Sequence, residues 1–184
     1  MGYILLILGL LLWSGAHAFK RVAPNRRKAM GDAGKGLVAI LSLVAIVLMV
    51  FGYRWAPVDQ IWPTSNGPKH FNNAVMLLVF YLFAADGMKT AITRYVRHPQ
   101  LWAVRLWAIA HILVNGDLAS FVLFGGLFAW AQISVYLINR DVPIWDKPVR
   151  PVSVGKEIGA VIGAVVVMGA VGWIHGWIGP WPFG

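Results

Sequence analysis

Six apolar runs, each close to the length of a bilayer crossing, leave this chain few ways to fold. They cover residues 2–19, 36–54, 72–91, 100–114, 118–138 and 155–178. About 20 residues of helix cross the ~30 Å hydrocarbon core, and in that core every backbone N–H and C=O must be paired inside the protein. Runs of this length meet the demand as α-helices. The expected class is all-α, a polytopic transmembrane helical bundle of about six spans forming one integral membrane domain over residues 1–184. Composition agrees: 59% of the 184 residues are hydrophobic and 12% are charged, against about 25% charged in a soluble domain.

The charges that remain are patterned. The formal net charge is +9. Fourteen of the sixteen basic residues fall in or beside alternate connections: 20–35, 89–105 and 140–156. Only Arg54 and Lys69 fall on the other side. Basic residues mark cytoplasmic loops, so both termini are expected outside the cytoplasm. The basic surplus therefore points to the lipid bilayer and its anionic leaflet as partner, not to nucleic acid. The A-x-A pattern at Ala16-His17-Ala18 resembles a signal cleavage site, but no basic residue precedes the run and Lys20, Arg21, Arg26, Arg27 and Lys28 follow it. An uncleaved first span is expected. The connections Trp55–Phe71 and Asp141–Pro151 each carry three prolines and read as irregular. The last run places Gly155, Gly159 and Gly163 on one smooth face, which suits helix packing within the chain or a homodimer seam. With no cysteine, disulfides, thiolate ligands and thiol nucleophiles are excluded.

Polar side chains inside the fourth run are the functional candidates. Arg97 to Asp117 reads as a membrane helix, yet it holds Arg97, His98, Arg105, His111, Asn115 and Asp117. An ionisable group at a helix centre costs roughly 2.5–3.5 kcal/mol on insertion scales, so such groups face the protein interior with partners or work to do. His111 lies about 15 Å along its helix, near mid-membrane. Asn115 sits one turn on, placed to order the imidazole or a bound group. Arg105 should avoid lipid, turned inward or reaching for the interface. Asp86 could pair with Arg105 or Arg94. His98 before Pro99 reads as a helix start. Gly116 supplies a left-handed turn position, and Asp117 can cap the next helix. His17 lies at the inner end of the first run, His70 in the outer connection and His175 near the last interface. Neither a phosphate-binding glycine loop nor paired zinc-spaced histidines occur.

The string from His98 to Ser134 resembles the NnrU family of bacterial membrane proteins. The matching motifs are His98-Pro99, Trp107-Ala108-Ile109-Ala110-His111-Ile112-Leu113-Val114-Asn115-Gly116-Asp117 and Leu123–Phe128. A histidine near the end of the first run, basic residues after it and Gly52-Tyr53 closing the second also fit. The resemblance covers most of residues 1–140. It implies the bacterial inner membrane and a link to denitrification, that is, to nitrite and nitric oxide metabolism. The family is similar to the haem b enzyme 15-cis-ζ-carotene isomerase. That similarity implies haem b with His17 and His111 as iron ligands, and redox or isomerase-like chemistry on a hydrophobic small molecule. Where that enzyme has a cysteine three residues before the second histidine, this chain has Ala108. His98 remains an alternative ligand, with Arg97, Arg105, Asn115 and Asp117 as polar neighbours. A shorter resemblance, Arg94-Tyr95-Val96-Arg97-His98-Pro99, is to membrane methyltransferases that use S-adenosylmethionine. A non-enzymatic assembly factor for respiratory reductases is the third reading.

The charge pattern makes a test. Reporters fused after Lys28 and at the C-terminus should report opposite compartments; the same compartment for both would break the six-span reading.

Overall fold

A computed structural model describes residues 1–64 and 66–183, and all side chains among them except those of residues 66 and 67. Ser65 of the outer connection and the terminal Gly184 lie outside the described residues. The fold is all-α. Among the described residues seven α-helices follow in order: α1 (Gly2–Val22), α2 (Pro24–Ala29), α3 (Gly31–Trp55), α4 (Asn66–Met88), α5 (Pro99–Asn115), α6 (Leu118–Asp141) and α7 (Val154–Ile178), with a 3-10 turn at Ala91–Arg94. Helices α1, α3, α4, α6 and α7 are long and apolar enough to cross a membrane, so the chain is a multi-pass membrane protein. Their outward faces are apolar, as lipid requires: Ile40, Leu43, Val161, Ile162 and Val166 are all exposed. The chain forms two compact units, residues 1–62 with 116–143, and residues 63–115 with 144–184.

In the first unit α1 is central, packed on α3 and α6. The α1–α3 seam is a close approach of backbones. A Cβ at Gly52 would land on the backbone of Leu6, and one at Gly9 would come within 2.9 Å of the Ala45 carbonyl oxygen. Leu6 and Ala45 are fully buried there. Small residues let helices approach this closely when lipid offers no hydrophobic drive to associate. At one end, Arg21 bridges to Asp141 at 3.1 Å, tying α1 to α6. At the other, Ile61 and Trp62 donate their N–H groups to the Gly116 carbonyl at 2.7 and 3.1 Å, and the Leu118 N–H donates to Asp59 O at 2.9 Å. Gly116 has φ 67, the left-handed position expected of it, where a side chain would be strained.

This tie fixes the topology of what lies between. The chain leaves the first unit at Trp62 and returns at Gly116, at the same end. Helices α4 and α5 must therefore run out and back as a pair. That accounts for α5, which has 17 residues and is about 26 Å long: it retraces the path of the longer α4.

In the second unit α4 is central, packed on α5 and α7. Its core is Met76, Val79, Leu82, Ala103 and Ala110, with Trp107 and Met168 against it. Helix α4 ends with Lys89 at φ 60 and a bond from Thr90 N–H to Ala85 O at 3.2 Å, the wrap that satisfies a last helical carbonyl. The C-terminal tail folds back on α7: Phe183 packs over Gly172 and Trp181 over Gly176. Asn73 donates to Pro182 O at 2.9 Å, and His175 Nδ1–H donates to Pro180 O at 2.8 Å.

Four expectations change. The basic connection 20–35 is helical almost throughout, because Pro24 starts α2 at its first position and Gly31, at φ 52, turns the chain directly into α3. His70 is an exposed helical residue of α4, since that helix begins at Asn66. Asp86 is paired with Lys89 at 4.0 Å, three residues on, which is the neighbour helical spacing supplies. The small residues that α7 buries are Ala160, Ala164 and Gly172. Of the glycine face, only Gly159 meets a neighbour, Met88, while a Cβ at Gly155 or Gly163 would meet nothing within 4 Å.

Gly52→Ala should lower thermal stability in detergent by about 1–3 kcal/mol, the range for overpacking. Gly15→Ala, at a position with nothing within 4 Å, should not. Equal melting temperatures for the two variants would show that the α1–α3 approach is not tight.

Candidate functional site

Two histidines share one local construction. Trp13-Ser14-Gly15-Ala16-His17 in α1 and Trp107-Ala108-Ile109-Ala110-His111 in α5 both read Trp-x-x-Ala-His. On a helix the first and last of these residues stand one above the other. In each, the imidazole Nδ1 lies 2.9 Å from the tryptophan carbonyl oxygen four residues back. The rings meet in each: centroids 4.1 Å apart for Trp13 and His17, 5.2 Å for Trp107 and His111. The alanine between is buried in each, Ala16 and Ala110. A carbonyl oxygen only accepts, so Nδ1 carries the proton and Nε2 carries the lone pair.

The first unit holds His17. Trp130 of α6 closes on it edge-on, 5.2 Å from the imidazole and 5.4 Å from Trp13. The indole Nε1 atoms of Trp13 and Trp130 are both buried with no hydrogen-bond partner. A buried donor left unsatisfied costs about 1–3 kcal/mol. His17 itself is exposed beside them. In the same unit Asp117 caps α6: Oδ1 accepts from Ser120 N–H at 2.8 Å and Oδ2 from Ser120 Oγ–H at 2.6 Å. Tyr53 Oη is 2.8 Å from Ser120 Oγ and extends the network to the end of α3.

The second unit holds His111, half-buried on α5. Asn115 stands one turn on, as expected, but its Nδ2 donates to the His111 carbonyl at 2.8 Å. That bond ties it to the backbone of His111. Arg105 is 9% exposed, in keeping with the cost of a cation facing lipid. Its Nε donates to Leu101 O at 3.2 Å, and its guanidinium lies 4.0 Å over the Trp102 ring, a cation–π contact. His98 occupies the helix-start position, its carbonyl accepting Trp102 N–H at 3.0 Å, with Pro99 first in α5. Arg97 lies half-buried in the turn before it.

His17 thus belongs to one unit and His111, His98, Arg97, Arg105 and Asn115 to the other, while Asp117 caps α6 in the first. Sequence reasoning missed Trp13 and Trp130 as the walls around His17. The signal was the recurrence of Trp-x-x-Ala-His at two places. Among the described residues, no three His, Cys, Asp or Glu side chains gather in a group that could hold a metal ion.

The chain matches the NnrU protein family over residues 5–182, nearly its whole length, and belongs to that family. Comparison with curated proteins and with solved structures finds no match.

Asp117→Ala should destabilise the protein by roughly 0.5–2 kcal/mol, the usual cost of losing an N-cap acceptor. Asp117→Asn, which keeps an acceptor for Ser120 N–H, should cost less. Denaturation in detergent checks the order, and equal stability of wild type and Asp117→Ala would refute the cap.

Proposed function

We propose that this NnrU-family membrane protein binds haem b, with Nε2 of His111 and Nε2 of His17 as iron-directed nitrogens. Its work would lie in nitrogen-oxide metabolism, with redox or isomerase-like chemistry on an apolar small molecule. One observation carries the reading: both imidazoles have Nδ1–H engaged by a carbonyl at 2.9 Å. An iron ligand needs a neutral imidazole with a lone pair outward, and a carbonyl holding the other nitrogen is the usual way proteins set that tautomer. Haem iron is commonly held by histidine, so His17 and His111 would be the residues to hold it, without a carboxylate cluster.

Bound haem would supply an iron able to exchange one electron or to polarise a bound group. The protein's own share is separate. The carbonyls of Trp13 and Trp107 orient each imidazole and hold its proton on Nδ1. The rings of Trp13 and Trp130 pack against the exposed His17, and Trp107 packs against His111. The family assignment supports the bacterial inner membrane as the location. Both termini outside the cytoplasm is supported by the fourteen basic residues that gather on one side.

The test is optical. Detergent-purified protein should show a Soret band. His111→Ala should lose or greatly weaken it while the chain still inserts, and His17→Ala should shift it. His98→Ala should leave it alone, since that residue's carbonyl only opens α5. Unchanged haem content in His111→Ala would remove the ligand role. Loss of haem in His98→Ala would move the site toward the start of α5.

A further inference from the structure

A second polar cluster, unrelated to either Trp-x-x-Ala-His segment, lies in the second unit. There the end of α4, the 3-10 turn and the connection into α7 converge. Thr90 and Thr93 are 1% and 7% exposed. Thr93 Oγ1 donates to Thr90 O at 2.7 Å and accepts from Arg150 Nη2 at 2.7 Å. Glu157, in the first turn of α7, accepts the Ala91 N–H through Oε1 at 2.6 Å and the Tyr81 hydroxyl through Oε2 at 3.4 Å. Its carboxylate is thereby engaged, and it does not reach Arg150 as an ion-pair partner among the described bridges.

Two polar atoms are left over. Thr90 Oγ1 and Arg150 Nε are buried and have no hydrogen-bond partner. Both can donate, one from a neutral hydroxyl and one from a guanidinium. Buried donors of this kind call for an acceptor. Lys89 and Arg94 flank the two threonines in the chain, and Lys156 adjoins Glu157. The missing acceptor is therefore anionic, and a tetrahedral phosphate suits a guanidinium fork and a hydroxyl together.

An apolar groove adjoins the Glu157 side of this cluster through Tyr81. It has a volume of about 300 Å³ and runs between α4 and α7, lined by Ala74, Leu77, Leu78, Tyr81, Val161 and Ala164. Tyr81 is its polar end, since the hydroxyl that reaches Glu157 belongs to this residue. From Tyr81 to Ala74 the groove follows α4 for about 10 Å. A charged head and an apolar tail are thus prepared side by side. This connection is basic in sequence, with Lys147, Arg150 and Lys156, the composition that attracts an anionic lipid surface.

We propose that this end of the second unit is a binding site for an anionic phospholipid. The phosphate accepts from Arg150 Nε and Thr90 Oγ1, and an acyl chain lies along the α4–α7 groove. The occupant does not depend on haem, so the two proposals fail separately.

Native mass spectrometry of the delipidated full-length protein tests it, with phosphatidylglycerol, phosphatidylcholine and inorganic phosphate as probes. Phosphatidylglycerol should bind and raise the unfolding temperature, and phosphatidylcholine should bind more weakly. Arg150→Gln should lower phosphatidylglycerol affinity about tenfold, the effect of losing one charge-assisted contact. Thr90→Val, nearly the same shape, should weaken it while keeping the fold. Lys147→Gln removes a charge from the same connection and should bind as wild type does. Equal binding of the two lipids would overturn the proposal, as would wild-type affinity in both Arg150→Gln and Thr90→Val. Protection by inorganic phosphate as strong as that by phosphatidylglycerol would overturn the lipid and leave a free-anion site.

Discussion

The Gly116 carbonyl, accepting from Ile61 and Trp62, is the contact on which the arrangement rests. It joins the connection after α3 to the turn before α6, far apart in the chain. By doing so it puts α6 beside α1 and makes α4 and α5 an out-and-back pair. The turn needs a glycine, because φ 67 is a conformation where a Cβ crowds the backbone. Asp117 then closes the next helix from the adjoining position. Three consecutive residues thus have separate tasks: Asn115 ends α5, Gly116 takes the left-handed conformation and Asp117 caps α6.

A second regularity concerns polar groups inside apolar helices. Ser14, His17, Ser42, Arg105, His111 and Asn115 each place a side-chain atom against the carbonyl four residues earlier. Lipid offers no water to satisfy such atoms, and the helix's own carbonyls are the nearest acceptors. For the serines this accounts for the side chain. For the two histidines it does more, because an imidazole has a second nitrogen. Satisfying Nδ1 directs the lone pair of Nε2 away from the helix that carries it. The same bond that makes a histidine tolerable in the membrane also leaves its other nitrogen with the lone pair.

The two units solve the packing problem differently. In the first, glycines bring α1 and α3 backbones together, so the seam is set by the absence of side chains at Gly9 and Gly52. In the second, α4 presents Met76, Val79 and Leu82 against Ala103 and Ala110, a seam of large residues over small ones. On α7 Ala160 and Ala164 are buried, while Gly155 and Gly163 near them are open. A sequence face of small residues shows where close approach is allowed. It does not show which of two neighbouring faces will be used.

What the sequence by itself determined are features fixed by local chemistry. Apolar length set the helices, Gly116 and Asp117 set the turn and the cap, and Pro99 set the start of α5. The family was legible in the Trp107–Asp117 motif for the same reason, as a run of adjacent residues. Other features depend on partners distant in the chain, and only the tertiary structure decided them. The basic segment 20–35 has no apolar periodicity to announce a helix, yet it is helical almost throughout, as the end of α1, all of α2 and the start of α3. Trp130 and His17 are remote in sequence, as are Thr93 and Arg150, or Asn73 and Pro182. Orphaned donors such as Thr90 Oγ1 and Arg150 Nε are invisible in a sequence, because being unpaired is a property of every neighbour at once. Periodicity reports what one helix presents, while a site is made by what several helices bring to one place.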